Sequence, residues 1–327
     1  MPPLLKSLAS LWVTFYAILA AGLLLAASRF LDREVGVWIA LPFAVLFLNL
    51  AAALFVNERM HAKPGLMVFH IGLAVLALLA AWGRLSLFDG RVEVSEGQPF
   101  DPAIVVTREI GPLHFNRLAE VDFVQLDFSV DYAAGMKRRH TQSRVAVPGG
   151  RGGRTVVTVG DDVPLIVAGY RFYTSANRGF APLIAFTGTG GETVAGLAHL
   201  PSYPLNADNQ GETWLIPGSN RQIALWLHLP NPVYIEDQAW SFTKPAGAKL
   251  VVIDGERRVE LALGEEVDLP EGRLAYLELR SWMGYVMNSD PSLNWLAAAA
   301  LVSAGGLVWH TLADAGAAKP KAGKDAA

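Results

Sequence analysis

The residue with the most chemical potential in this sequence is His70, in the run Met67-Val68-Phe69-His70-Ile71-Gly72-Leu73. An ionisable ring inside an apolar stretch is uncommon and marks a functional position by default. It lies about five residues inside the stretch, some 8 Å from its end at about 1.5 Å of helical rise per residue. A neutral imidazole is a ligand for haem iron, whose potential is set by a second axial ligand and a low-dielectric pocket. The competing assignment is a ring bonded to a hydroxyl or carbonyl of a neighbouring helix, and the residue alone leaves both open. His310 lies about three residues from the end of another apolar run, at a depth within ~5 Å of that of His70. Two histidines in one leaflet can form a bis-histidine site; the alternative for His310 is an interfacial ring beside Trp309 reaching toward headgroups. His61, between Arg59 and Lys63, reads as part of a solvated basic flank.

Other chemistries have no carrier. His114, His140, His199 and His228 are widely spaced, with no HxH or HExxH pattern. The chain has no cysteine, which removes disulfides, thiolate metal sites, CxxC redox chemistry and covalent haem attachment. There is no GxSxG, no P-loop and no GxGxxG opening a helix. A formal net charge of -3 and the lack of a basic stripe interleaved with aromatics argue against nucleic acid. Lys137-Arg138-Arg139-His140 reads as a solvated hairpin tip, the usual place for a charge run.

The elements that must position His70 follow from hydropathy. A chain of 327 residues that is 52% hydrophobic and only 17% charged, with a mean hydropathy of +0.31, is too apolar for an ordinary soluble domain. The excess lies in four runs, near 8–27, 35–56, 65–83 and 293–312, each close to the ~20 residues that cross a bilayer. They predict four transmembrane helices, three N-terminal and one C-terminal. The first run is longer than a signal h-region and further runs follow it, so it reads as an uncleaved helix. Lys6, then Arg59 and Lys63, then Lys319, Lys321 and Lys324 belong on the cytoplasmic side. The opposite loop balances Arg29 and Arg33 with Asp32 and Glu34. Both termini are then cytoplasmic, and 84–292 lies outside, periplasmic to a bacterial inner membrane. Five of the nine tryptophans, Trp12, Trp38, Trp82, Trp295 and Trp309, fall near run ends, as an aromatic belt requires. In the second run, Asn49 can bond across helices and Pro42 can kink the helix.

The segment 84–292 reverts to soluble composition. Alternation in 121–130, and short runs at 144–147, 155–159, 165–173, 223–228, 250–254, 258–263 and 274–280, predict a β-rich antiparallel domain, sandwich or barrel-like. The four glycines within Pro148 to Arg154 predict a hairpin loop. The tail, 313–327, reads as disordered.

In order and placement these features resemble the ResB family of cytochrome c biogenesis proteins, also called CcsB or Ccs1, of which this chain looks like a short variant. The residues that carry the resemblance are the span pattern, Ser7-Leu8, Asn49-Leu50 followed by Arg59, and His70-Ile71-Gly72-Leu73, which looks like the family's HLG segment. Further along, Val163-Pro164-Leu165 followed by Gly169-Tyr170-Arg171-Phe172-Tyr173, and Asp290-Pro291-Ser292 before the last run, are similar to family signatures. The family's Asn before Pro-Leu and Gln after Tyr are replaced here by Asp161-Asp162 and Thr174. The resemblance implies a partner of a multi-span ResC (CcsA) protein, in a lipid-embedded system that carries haem b across the membrane to apocytochrome c. A separate thiol-reducing protein would serve that system. It further implies that His70 is an axial haem ligand whose mate comes from ResC; His310 matches no family motif. The same residues leave open a membrane-anchored β-domain scaffold without haem, and a small b-type cytochrome ligated by His70 and His310.

Overall fold

A computed structural model describes residues 3–28, 30, 36–230 and 235–317. Arg29, Asp32, Arg33 and Glu34 of the first loop, and the tail from 318 with its three lysines, lie outside the described residues. Among the described residues there are six α-helices: α1 (Pro3–Leu8), α2 (Leu11–Ala27), α3 (Gly36–Val56), α4 (Glu58–His61), α5 (Pro64–Ser86) and α6 (Leu293–Ala317). The last of these runs on through 313–317, part of the stretch expected to be disordered.

Among the described residues, α3, α5 and α6 are long and apolar enough to cross a membrane. The expected fourth span is shorter. Its 17 residues in α2 reach about 26 Å, against the ~30 Å of a hydrocarbon core. Ser10 causes the difference: its backbone is extended and its hydroxyl accepts from Trp12 N at 3.3 Å, so the run from residue 8 breaks into two helices. Asn49, 2% exposed, holds the break. Its side-chain amide donates to the carbonyls of Leu8 and Ser10, and its oxygen accepts from the Thr14 hydroxyl at 2.7 Å. The Leu8 carbonyl would otherwise be an orphaned helix end, whereas that of Ser10 also accepts from Val13 N at 3.1 Å.

Within this helical unit α2 packs on α3, α3 on α5, and α5 on α6. The last pair is antiparallel, with Gly65 opposite His310, Gly72 opposite Ser303, and Gly306 opposite Val68 and Phe69. A methyl group on Gly72 would come within 2.7 Å of Ser303 Cα, and one on Gly306 within 2.5 Å of Phe69 N. Only glycine allows that approach, which lets Ser303 Oγ donate to the Phe69 carbonyl at 3.1 Å. All five tryptophans named above are exposed on outer helix faces.

The β unit comprises Gly90–Thr107 and Asn116–Asn288, while Arg108–Phe115 groups with the helices. Its largest sheet runs β2 (Val106–Ile110), β1 (Phe88–Ser95), β15 (Gly272–Ser289), β7 (Tyr170–Gly188) and β6 (Leu165–Val167), with β14 (Glu266–Leu269) on β15 and β8 (Thr193–Leu197) on β7. A second sheet orders β13 (Arg257–Leu261), β12 (Lys249–Asp254), β10 (Gln222–His228) and β9 (Gly211–Leu215). The third orders β11 (Trp240–Ser241), β3 (Val124–Tyr132), β4 (Arg138–Pro148) and β5 (Arg154–Gly160). The expected β-rich antiparallel domain is present, and the glycine run does join β4 to β5. The run 165–173 is not one strand but two. Val167 pairs with Tyr170, leaving Ala168 and Gly169 as a two-residue turn with φ of 51° and 86°. Two successive positive φ values define the turn that matches strand twist, and glycine at the second avoids the steric cost. Apolar faces meet in two clusters, one around Ile184, Leu225, Leu250 and Tyr276, the other around Tyr132, Phe180, Tyr203, Trp240 and Phe242.

Candidate functional site

His70 is half-buried on α5. Its Nδ1 lies 2.8 Å from the Leu66 carbonyl, one turn back in the same helix, and the Phe69 ring stands edge-on to it at 5.1 Å. A carbonyl can only accept, so that contact places the ring proton on Nδ1 and leaves the lone pair on Nε2. The bond is to its own helix and not to a neighbour. At about 100° per residue, His70 shares a stripe with Ala74, Ala77 and Ala81, all three buried. Gly65, Gly72 and Gly83 form the stripe on α6, roughly 140° away. The alanine stripe therefore lies away from α6.

His310 lies elsewhere. Its backbone sits against Gly65, and its Nε2 is 3.7 Å from Asp314, whose carboxylate also takes Lys63 Nζ at 2.7 Å. The chain thus ties His310 into a charged cluster at the ends of α5 and α6, and does not bring it onto the face that carries His70. Asp290 and Pro291 lead into α6. Asp290 Oδ1 accepts from Ser292 N at 2.9 Å and from the Ser292 hydroxyl at 2.6 Å, an Asx turn just ahead of the helix.

The remaining motif positions build the β6/β7 hairpin and what it packs on. Pro164 leads into β6, Leu165 is buried, Gly169 is the turn, and Tyr173 lies half-buried on β7. Phe172, fully buried, stacks edge-on to Phe100, Phe123 and Tyr285. Asp161 and Thr174 meet in space: the Thr174 hydroxyl donates to Asp161 Oδ1 at 3.0 Å. Arg138 joins them, donating to the same oxygen at 2.9 Å and to the Ser175 carbonyl at 3.2 Å. The basic run is therefore not wholly a solvated tip: Arg138 is clamped, whereas Lys137, Arg139 and His140 are exposed.

Two arrangements in the β unit were not signalled by the sequence. A half-open cleft of about 380 Å³ is lined by Arg91, Val92, Glu93, Ile104, Val106, Asn177 and His199. The His199 ring stacks on Trp282 at 5.4 Å, its Nε2 is 2.7 Å from Ser95 Oγ, and its Nδ1 is 3.7 Å from Glu93. Glu93 and Ser95 alternate on β1 and so share a face, a pairing that only the return of His199 from another part of the chain reveals. The second is Arg178. It is 5% exposed, its Nε and Nη1 have no acceptor among the described residues, and burial pulls its pKa down to about 10. An uncompensated buried charge costs about 3–5 kcal/mol, a large fraction of a domain's stability. Among the described residues no group of three or more metal-ligating side chains exists.

No family model matches the chain, and no curated protein matches it. Among solved structures it is similar to one described as "Cytochrome c Heme Lyase CcmF", at 14% identity and a TM-score of 0.27, over 91% of this chain and 34% of that one. The chain spans about a third of that protein's length, and at such a score the likeness bears on neither fold nor activity.

Proposed function

We propose that this chain is a ResB-like membrane subunit that holds haem at His70 and passes it, together with a ResC-type multi-span partner, to apocytochrome c outside the cytoplasm. The observation that carries the reading is the posture of His70: Nδ1 is anchored to a backbone carbonyl and Nε2 is unspent, in a membrane-length helix. Ligating histidines generally give their other ring nitrogen to such an acceptor, which fixes the tautomer and raises basicity. Haem here is cargo, and the iron–imidazole bond would hold it in register. This chain supplies one ligand, since His310 is engaged with Asp314 on another face, so the second comes from the partner. In this reading α2 crosses as well, its length made up by thinning or tilt, at fractions of a kcal/mol per Å. Lys6, Arg59 and Lys63 then mark the cytoplasmic side, and the β unit lies outside.

The test is haem retention in the purified complex with its partner. His70→Ala should lose most of the bound haem and its absorption band, while the protein remains assembled; unchanged retention sinks the ligand role. A second reading, a membrane-anchored binding module, is favoured by the cleft at His199. It requires normal function in His70→Ala and loss when the hairpin from Pro164 to Tyr173 is disrupted. Haem on the isolated chain, measured as the pyridine haemochrome, would instead indicate a b-type cytochrome.

A further inference from the structure

Arg178 sits where three irregularities of the β unit coincide. Strand β7 carries a bulge there: Thr174 pairs with Tyr285 and Arg178 with Met283, so Ser175, Ala176 and Asn177 stand opposite Gly284 alone. Bulges re-aim side chains, and this one sends Asn177 to the cleft and buries Arg178. The guanidinium lies over the Tyr132 ring, 4.8 Å from its centre, and Tyr132 stacks face to face on Trp240 at 4.0 Å. A cation over an aromatic face is attracted to it, but the ring accepts no N–H proton as a carboxylate does. Nε and Nη1 have no partner among the described residues, and Arg178 keeps a residual exposure of 5%. The Tyr132 hydroxyl is buried without a partner as well.

We propose that Arg178, with the Tyr132 hydroxyl, is a receptor for one carboxylate group brought by another molecule. The chemistry selects that ligand. A single buried positive charge is balanced by a monoanion, whereas a doubly charged phosphate would leave one charge uncompensated in an aromatic surround. The two oxygens of a carboxylate offer about four acceptor sites, enough for the guanidinium protons and the phenol. The carboxylate belongs either to a small organic acid or to an acidic side chain of a polypeptide. Nothing in this proposal depends on haem or on His70.

The experiment uses the full chain in detergent and reads its melting temperature at constant ionic strength. Sodium acetate is compared with sodium chloride, and a hexapeptide bearing one glutamate among valines and glycines with its glutamine counterpart. Acetate, the glutamate peptide, or both should raise the melting temperature of the native chain, and Arg178→Met should abolish the response while itself melting higher than the native chain. Tyr132→Phe, which keeps the fold's volume, should weaken the response several-fold. A glutamate peptide acting at a tenth of the acetate concentration or less identifies a polypeptide source; equal potency identifies a small acid. The proposal is overturned if neither probe shifts the native chain by 100 mM acetate or 1 mM peptide. It also fails if Arg178→Met responds as the native chain does, or melts lower than it, because the arginine would then be structural.

Discussion

Replacing Asn49 by leucine tests whether one polar residue holds the N-terminal helices to the rest of the membrane unit. Leucine keeps the volume and removes three hydrogen bonds, to the Leu8 and Ser10 carbonyls and from the Thr14 hydroxyl. Interhelical hydrogen bonds in membranes average about 0.6 kcal/mol and reach about 1.7, so three give about 2 to 5 kcal/mol. At 1.4 kcal/mol per factor of ten, even the lower figure multiplies the open population of α2 about 30-fold. The native chain has no cysteine, so Ala17→Cys, on the buried face of α2 at 5% exposure, introduces a single thiol. Its rate of maleimide labelling, under conditions where opening is fast and reversible, reports that population. Labelling should accelerate about 30-fold or more when Asn49→Leu is added. An acceleration below threefold would mean that the three bonds together contribute under about 0.7 kcal/mol, and the account of the α1/α2 break would fail.

The β unit makes two further predictions. Ala168 holds a φ of 51° in the β6/β7 turn, where a non-glycine residue other than Asn or Asp costs about 1–2 kcal/mol, so Ala168→Asn should stabilise the fold by about 0.5–1 kcal/mol. A lower thermal midpoint would contradict the turn assignment. Arg221 grips Glu271 with two bonds of 2.6 Å and also bonds Asp254, and its guanidinium holds the Glu271 carboxyl below its ordinary value of 4.5. A depressed carboxyl stabilises above its unfolded pKa and loses that contribution as pH falls through the folded value. The urea midpoint of the native chain should therefore exceed that of Glu271→Gln above about pH 5 and converge on it in more acidic buffer. A gap that widens toward acid would refute the pairing.

What was legible along the chain was what depends on near neighbours. The apolar runs of α3, α5 and α6, the alternation in β3 and β10, the short apolar run of β12, and the glycine loop between β4 and β5 each follow from a local pattern or a turn residue. The depth of His70 in its helix follows in the same way, from counting rise per residue. The first run is longer in hydropathy than in helix because hydropathy ignores capping. Ser10, a residue with an extended preference and a capping hydroxyl, cuts the helix short, and Asn49, 39 positions away, makes the cut tolerable. The stretch 165–173 was read as one strand for a similar reason, since a two-residue turn leaves almost no trace in an apolar period.

By itself the sequence determined that the chain has membrane-length apolar helices, that one of them carries a histidine, and that an antiparallel β unit separates the last from the others. Only the tertiary structure decided which face of α5 that histidine shares, that its ring bonds to its own helix, and that His310 turns to Asp314 instead. It also decided that Asp161 meets Thr174, that Ser95 and Glu93 meet His199, and that Arg178 meets no acid among the described residues. The division has one cause. Helical and strand periods are set by adjacent backbone dihedrals, whereas the partner of a side chain is set by which distant segments pack together, and most of these contacts join residues that local periodicity cannot relate.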